Sequence, residues 1–226
     1  MIQTDQYLTH YWPILNGTML DTIGDSDMIQ GNLTSFTSDR FGNVNSALAL
    51  NGGYTQVPSG IYFDSPEFTI SVWVYPKSVG SFARVLDFGN GPGDNNILFS
   101  LSDGTTLQHY VSIYLGLSRI FRPVSSQNLT LNTWHFIAVT FNGTAASIYL
   151  NGTLTAQDIR NQTYLLSSLN RTNCFIGKSN SAKDGYSSSY LDDLRFYNKS
   201  LTQTELIQVM YGTRTCTCND FVLKLI

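Results

Sequence analysis

The chain has 226 residues, a net charge of −3 and only 13% charged residues. No basic run is present, so the sequence lacks the clustered positive charge that is typical of nucleic-acid-binding proteins. No apolar run approaches the roughly 20 residues that span a bilayer. We therefore expect a single all-β domain, which can exceed 200 residues as one unit, with neither a nucleic-acid partner nor a membrane span.

In chain order, the predicted elements are short runs of β-branched and aromatic residues separated by Gly, Asn, Ser and Pro. Residues 1–9 are interpreted as a lead-in, and the first strand begins at His10. The run Asn51-Gly52-Gly53 is expected to break the chain between two strands. The further predicted strands are 46–50, 54–57, 68–75, 84–88, 97–101, 110–115, 134–141, 146–150, 174–177 and 190–197.

The central stretch runs from Trp134 to Leu154. Asn-Gly pairs follow its two strand-like runs, at 142–143 and 151–152, and both predict type I′ turns because Asn and Gly tolerate positive φ. Residues 134–141 are apolar on both faces, so this strand is expected to be buried on both.

Near the C-terminus the spacing of the apolar residues changes from strand-like alternation to a helical period, which predicts a short helix. Thr202 and Glu205 have capping-box spacing, and Gly212 can end the helix. Residues 215–226 form a tail after the domain closes, and within it 221–226 is an apolar, strand-like run.

Asn-X-Ser/Thr acceptors predict a secreted glycoprotein. Chance gives about four such sites in a chain of this composition, whereas the sequence holds eight, and the alternative is that a Ser/Thr/Asn-rich β-protein makes them by accident. The N-terminus lacks a signal peptide, so we expect a mature piece of a longer precursor. The eight are Asn16, Asn32, Asn128, Asn142, Asn151, Asn161, Asn170 and Asn198.

Three cysteines fit an oxidising compartment. A bridge from Cys174 to Cys216 or Cys218 would close a loop of about 43 residues, worth roughly 4 kcal/mol. One thiol would then be left for a partner outside the chain. The alternative is three free thiols, and no Cys or His spacing suggests zinc.

Seven segments in this order resemble the laminin G-like, concanavalin A-like jelly-roll family. The resemblance covers about residues 10–212, and the domain is placed at 10–214. It implies an all-β, two-sheet antiparallel β-sandwich with one short C-terminal helix. The family consists mostly of non-enzymatic extracellular modules, some of which bind glycans or proteins, often through calcium. The segments are ALALNGGY (47–54), FTISVWV (68–74), TWHFIAVT (133–140), SIYLNG (147–152), FIG (175–177), LDDLRFYN (191–198) and LTQTEL (201–206).

The same fold also hosts glycoside hydrolases, which resemble one another in a Glu-X-Asp-X-X-Glu strand. This chain has only two glutamates, Glu67 and Glu205, far apart in sequence. A retaining glycosidase needs two carboxyl groups about 5–5.5 Å apart. The three histidines have no Ser or Cys motif beside them, so we expect no enzymatic activity.

Asp192 is the sharpest candidate for a metal ligand. Strand alternation places it on one face with Leu194 and Phe196, hence inward, where a carboxylate needs backbone donors, an arginine or a cation. The resemblance implies a structural calcium that joins such an aspartate to the N-terminal segment, with Asp21 and Asn51 as further ligands. The alternative is that Asp192 only accepts turn hydrogen bonds.

Two long polar loops are the candidate ligand-binding segments, because binding residues concentrate on loops. Asp94, Asn95 and Asn96 lie in loop 89–96, and Asp184 and Tyr186 lie in loop 178–189. These side chains are expected to hold sugar hydroxyls, with or without calcium. The alternative is that both loops are ordinary solvated connections.

The prediction that follows is a non-enzymatic, extracellular glycoprotein module with a structural or adhesive role. Its partners are expected to be other copies of itself or neighbouring modules. The run 221–226 could add a strand to a neighbour's sheet, and a head-to-tail contact that does not close builds a fibre. The alternative is a calcium-assisted lectin whose partners are glycans.

Overall fold

The computed structural model describes residues 4–78, 80–166 and 168–212. The tail, with Cys216, Cys218 and the strand-like run 221–226, lies outside them. A short 3-10 helix (Asp5–Tyr7) precedes the strands, and helix α1 spans Gln203–Tyr211. The strands are β1 (Leu8–Trp12), β2 (Ile29–Thr37), β3 (Ala47–Val57), β4 (Phe68–Pro76), β5 (Arg84–Gly89), β6 (Ile97–Ser100), β7 (Gln108–Leu115), β8 (Ser118–Phe121), β9 (Val124–Asn128), β10 (His135–Phe141), β11 (Ala145–Leu150), β12 (Thr153–Ile159), β13 (Asn173–Ile176) and β14 (Ser187–Tyr197).

The strands form an antiparallel sandwich, which confirms the predicted all-β jelly-roll class. One layer follows the order β12-β11-β10-β4-β14 and the other the order β13-β5-β6-β7-β8. Strand β3 pairs with both β14 and β13, so the hydrogen bonding passes from one layer to the other without interruption. Strands β1, β2 and β9 add to β14, β3 and β7.

Strand β10 is buried on both faces, as its sequence predicts. Ile137, Val139 and Phe141 belong to the main core between the layers. Phe136 and Ala138 belong to a second apolar cluster on the outer face, beneath α1. The period-2 alternation of strand side chains therefore serves two separate cores.

The two Asn-Gly turns of the central stretch differ. At Asn151-Gly152 both φ values are positive, 50° and 81°, and the type I′ prediction is confirmed. At Asn142-Gly143 only Gly143 has positive φ, 86°. There the Asn142 Oδ1 atom accepts the backbone N–H of Ala145 at 2.8 Å. The type I′ prediction is wrong at this turn because the asparagine side chain replaces a backbone acceptor.

Strand β3 continues through the run that was expected to break it. Asn51 lies opposite Ser188 and Gly53 lies opposite Ser187, so Gly52, with φ of 75°, forms a β-bulge within the strand. A Cβ atom at Gly53 would lie 2.0 Å from the Asn32 carbonyl oxygen of β2. The glycine therefore allows a close approach of β2 rather than a chain break.

Helix α1 closes the outer face of the sandwich. The capping box between Thr202 and Glu205 is confirmed, with Gly212 at the C-cap, and Leu206 and Val209 are buried. Tyr7 and Leu8 pack against the same cluster, so the segment interpreted as a lead-in contributes to the folded domain. Among the described residues, no helix has the length and apolar character required to cross a membrane.

Candidate functional site

A cleft opens at the seam between the two layers, where edge strand β8 lies beside the end of β12. Its volume is about 560 Å³, and it has both apolar and cationic walls. The lining residues are Leu115, Ser118, Arg119, Ile120, Arg160 and Tyr164.

The seam is closed by side chains rather than by a β-ladder. In the described strands, β8 pairs only with β7, and β12 pairs only with β11. Arg160 Nε donates to the Ile120 carbonyl at 3.0 Å, and the Arg122 backbone N–H donates to Asp158 Oδ2 at 2.8 Å. These bonds satisfy edge groups that would otherwise be free to pair with another chain.

Two walls of the cleft are held rigidly. The Tyr164 ring meets Phe121 edge-on, with centroids 5.5 Å apart, and its backbone N–H donates to the Gly143 carbonyl. The Arg160 guanidinium lies 5.4 Å from the Phe121 centroid. Its Nη2 atom bonds Asp158 at 2.9 Å. Arg160 and Tyr164 therefore present fixed polar groups to the cleft.

The exposed arginines among the described residues gather at the seam. Arg119, Arg122 and Arg160 are exposed. The Arg119 side chain makes no hydrogen bond or ion pair within the part of the chain that the structure describes. The other described arginines are turned inward: Arg40, Arg84 and Arg195 are paired with aspartates and Arg171 is buried.

A β-bulge decides where Asp192 and Asp193 point. Asp192 pairs with Trp73 and Arg195 with Ser71, so three steps on β14 match two on β4. Asp193 is the inserted residue, with φ of 53°. Asp192 consequently lies on the Trp73 side of the sheet. Asp192 is fully buried, as predicted, but the prediction that it shares a face with Leu194 is wrong, because a bulge reverses the alternation.

Two arginines pair with these buried aspartates: Arg40 contacts both, and Arg195 contacts Asp193. Arg40 Nη1 lies 2.5 Å from Asp192 Oδ2, and Arg40 Nη2 lies 2.7 Å from Asp193 Oδ2. The Tyr11 hydroxyl donates to Asp193 at 2.5 Å. Burial raises the pKa of Tyr11, although Arg195 opposes the shift, so the hydroxyl stays protonated and remains a donor. The cluster ties β1 and the loop before β3 to β14.

The other two predicted calcium ligands have different surroundings. Asp21 lies 2.6 Å from His10 Nδ1 and accepts several backbone N–H groups. Burial alone would raise its pKa, but these hydrogen bonds lower the pKa to about 2. Asn51 is exposed and pairs with Ser188, four residues and roughly 13 Å along the strand from Asp192.

The three predicted ligands are thus engaged separately. Within the described ranges, no group of three or more His, Cys, Asp or Glu side chains is placed to hold a metal ion. The calcium site stays a prediction.

The two predicted ligand loops are pinned to β5 by buried polar groups. Asn96 is fully buried and donates to Asp87 Oδ1 at 2.5 Å. Asp184 accepts from Arg84 Nη2 at 2.6 Å. Burial raises the pKa of Asp87, opposed by hydrogen bonds from Asn180 and Asn96. Asn96 is therefore used to solvate a buried carboxyl group and does not face a ligand, contrary to expectation.

The remaining loop residues are more accessible. Asn95 Nδ2 donates to Asp94 Oδ1 at 2.8 Å, while its Oδ1 accepts from the Gly116 N–H at 2.8 Å. Gly116 follows cleft residue Leu115, so Asn95 supports the turn beside the cleft. Tyr186 is 48% exposed and stacks on Tyr54, away from these contacts.

Residues 50–207 match the family model described as the concanavalin A-like lectin/glucanases superfamily (Laminin_G_3). The chain belongs to this superfamily. The resemblance identified in its sequence is thereby confirmed. No curated protein sequence matches the chain.

Solved structures share the fold at low sequence identity. Domain 4 of AbnA, an extracellular arabinanase from Geobacillus stearothermophilus solved with arabinotriose, is 18% identical with a TM-score of 0.70, covering 90% of this chain and 98% of that one. The binding domain of Paraclostridial Mosquitocidal Protein 1 is 17% identical with a TM-score of 0.69, over 92% and 52%. That of botulinum neurotoxin serotype C1 is 13% identical with a TM-score of 0.69, over 94% and 54%. This concanavalin A-like chain thus spans about half of each toxin domain.

The glycosylation acceptors of this concanavalin A-like domain share one property. All eight acceptor asparagines are exposed, whereas five of the nine other described asparagines are not. At Asn142 and Asn151 the Oδ1 atom accepts a backbone N–H. The Nδ2 atom, to which a glycan would be joined, makes no hydrogen bond to the described residues. Asn161 follows Arg160 at the rim of the cleft.

Cys174 is fully buried in β13. Burial raises the pKa of its thiol to about 12, although Arg171 opposes the shift. Such a thiol is a poor nucleophile. Its proposed partners lie beyond residue 212, so the disulfide stays a prediction.

Sequence reasoning missed the cleft altogether. Arg119 and Arg160 are 41 positions apart and become neighbours only when the two layers close. The available signal was indirect: exposed arginines are scarce in an acidic chain, and two of them lie in or beside short strands that can form sheet edges.

Proposed function

We propose that the protein is a non-catalytic carbohydrate-binding module of a secreted glycoprotein, and that the saccharide binds in the cleft between β8 and β12. The cleft carries the proposal. Its volume of about 560 Å³ lies within the roughly 300–1,000 Å³ of small-molecule sites. Its apolar, aromatic and hydrogen-bonding walls suit a sugar, which has apolar C–H faces and polar edges.

The composition of the cleft supports binding without hydrolysis. Among the described lining residues, none is Asp or Glu. The neighbouring Asp158 is already held by Arg160 and by the Arg122 N–H. Glycoside hydrolysis needs a pair of carboxyl groups across the bond, which these side chains do not supply.

The exposed acceptor asparagines support the secreted, adhesive setting. A chain that passes through the secretory pathway receives glycans on accessible Asn-X-Ser/Thr sites. A domain that both carries glycans and binds them would act in adhesion, by holding a saccharide of another surface. Its similarity in fold to a domain solved with arabinotriose is consistent with this role.

The test compares two aromatic residues on the full chain expressed in a secreting eukaryotic cell. Binding to a glycan array and its calorimetric titration are measured for wild type, Tyr164→Ala and Tyr186→Ala. We expect saccharide binding that Tyr164→Ala reduces at least tenfold and Tyr186→Ala leaves unchanged, with no release of reducing sugar.

Thermal melting of each variant checks that it is folded. Absence of binding to every saccharide would refute the proposal. Loss of binding in Tyr186→Ala alone would refute the cleft and favour loop 178–189. The secreted setting is tested separately by endoglycosidase treatment, which is expected to lower the mass of the secreted chain in several steps. A single unshifted mass would contradict it.

A further inference from the structure

The donor groups of the cleft identify a class of saccharide. We infer that the cleft binds the anionic group of an acidic saccharide, with Arg119 as its principal ligand. This inference rests on the proposed function and narrows it from carbohydrates in general to those that carry a carboxylate or a sulfate.

The two arginines of the cleft have different roles. Arg160 is fixed by its bonds to the Ile120 carbonyl and to Asp158, which also offsets its charge. Arg119 stands on edge strand β8 with no counter-ion among the described residues, and it is exposed. It therefore keeps its full charge and its five N–H donors for a ligand.

The hydrogen-bonding inventory of the walls favours an acceptor-rich ligand. Arginine donates and never accepts, so Arg119 and the free edge of Arg160 supply donors only. Ser118 and Tyr164 add one hydroxyl group each. A carboxylate accepts from an arginine in a bidentate, charge-assisted arrangement that is about twice as strong as a neutral hydrogen bond. A neutral sugar hydroxyl accepts from the same arginine donors without a negative charge of its own, so its hydrogen bonds are weaker.

The charge balance at the seam points the same way. Arg119, Arg122 and Arg160 together with Asp158 give +2 (three positive charges and one negative), whereas the whole chain carries −3. An anionic saccharide is therefore attracted to this seam while the rest of the surface repels it. Such attraction between exposed charges weakens as salt shortens the Debye length.

The experiment uses saccharides in pairs that differ only in charge. An array carries uronates with their methyl esters, sialylated glycans with their asialo forms, and sulfated glycans with their desulfated forms. We expect binding to the acidic member of a pair, at least tenfold tighter than to its neutral counterpart. We also expect the affinity to fall on going from about 50 to about 300 mM salt.

Variants then test whether Arg119 binds the anionic group. The acidic saccharide that binds best on the array is titrated into each variant by calorimetry. Arg119→Ala is expected to weaken binding about tenfold or more, and Arg119→Lys to recover only part of it, because lysine keeps the charge but not the fork. The matched control is Lys183→Ala, which removes an exposed cation from loop 178–189 and is expected to leave the affinity unchanged.

The outcomes separate the two proposals. Equal binding of acidic and neutral partners, with Tyr164→Ala still reducing it, would overturn the acidic specificity and leave the carbohydrate function standing. Wild-type affinity in Arg119→Ala would likewise overturn the role of Arg119. Binding to no saccharide at all would overturn both. Whether uronates or sulfated glycans bind best identifies which anion the cleft takes.

Discussion

His109 predicts how the stability of the fold depends on pH. It lies fully buried in β7, and its pKa is lowered from 6.5 to about 4, first by burial and then by the nearby His135. Between these two pH values the His109 imidazole is protonated in the unfolded chain and neutral in the folded chain. The stabilising contribution of the neutral imidazole is therefore complete above pH 6.5 and is lost as the pH falls towards 4.

The magnitude follows from the shift. Each pKa unit corresponds to 1.36 kcal/mol, so the full change is about 3 kcal/mol. That is a large share of the roughly 5–15 kcal/mol that holds a domain together. Asp87, whose pKa is raised by burial, has the opposite sign, because its contribution is lost as the pH rises above the unfolded value. The contribution of His109 to the pH dependence is therefore isolated by comparing the wild-type protein with a His109 variant at each pH.

The assay is urea unfolding from pH 7 to 4.5 of the wild-type protein and of His109→Leu, which keeps the volume and removes the titration. We expect the difference in unfolding free energy between the two to shift by about 2–3 kcal/mol over this range, in favour of the variant at low pH. If the two proteins lose stability in parallel, the buried imidazole is not the source of the pH dependence and the reasoning is refuted.

Three further predictions test the framework around the site. Arg40→Ala removes the guanidinium that pairs with both Asp192 and Asp193 and leaves Arg195 beside Asp193, so the unfolding free energy measured in urea should fall by about 3–5 kcal/mol; a loss under about 1 kcal/mol would show that the pair is not desolvated. Thr202→Ala removes the α1 cap and should cost about 1 kcal/mol, whereas Thr204→Ala, exposed within the same helix, should cost little. Because the buried aspartate pair already has an arginine, we expect a chelator to leave the melting temperature unchanged; a drop that calcium reverses would instead support the predicted calcium site.

Local signals account for what the sequence predicted well. Alternation in 68–75 and 134–141, the capping box at Thr202 and the Asn151-Gly152 turn are each determined within a few residues, and the structure confirms them. Their physics is short-range: pleat period, orphan N–H groups and the φ that a residue tolerates. The same signals support the family resemblance.

Long-range contacts account for what the sequence did not reveal. The inserted residue in β14 is stabilised by Arg40, about 150 positions away, and reverses the face of Asp192. Asn96 looks like an open loop residue until Asp87 is seen to need its amide. Strand β2 and edge strand β8 carry weak propensity and exist because β3 and β7 offer them pairing partners. Tertiary context overrides strand propensity at all these places.

The seam between β8 and β12 has a consequence for motion. On the opposite side of the sandwich the backbone ladders of β3 join the two layers, but here a few side-chain bonds bridge two strands that do not pair. Segments with few backbone bonds open at lower free energy than the core. Amide protons of 118–121 and 153–159 should then exchange faster than those of β10. A ligand that contacts both walls of the cleft would link β8 to β12. The hydrogen-exchange protection of both edge strands should therefore rise together on binding.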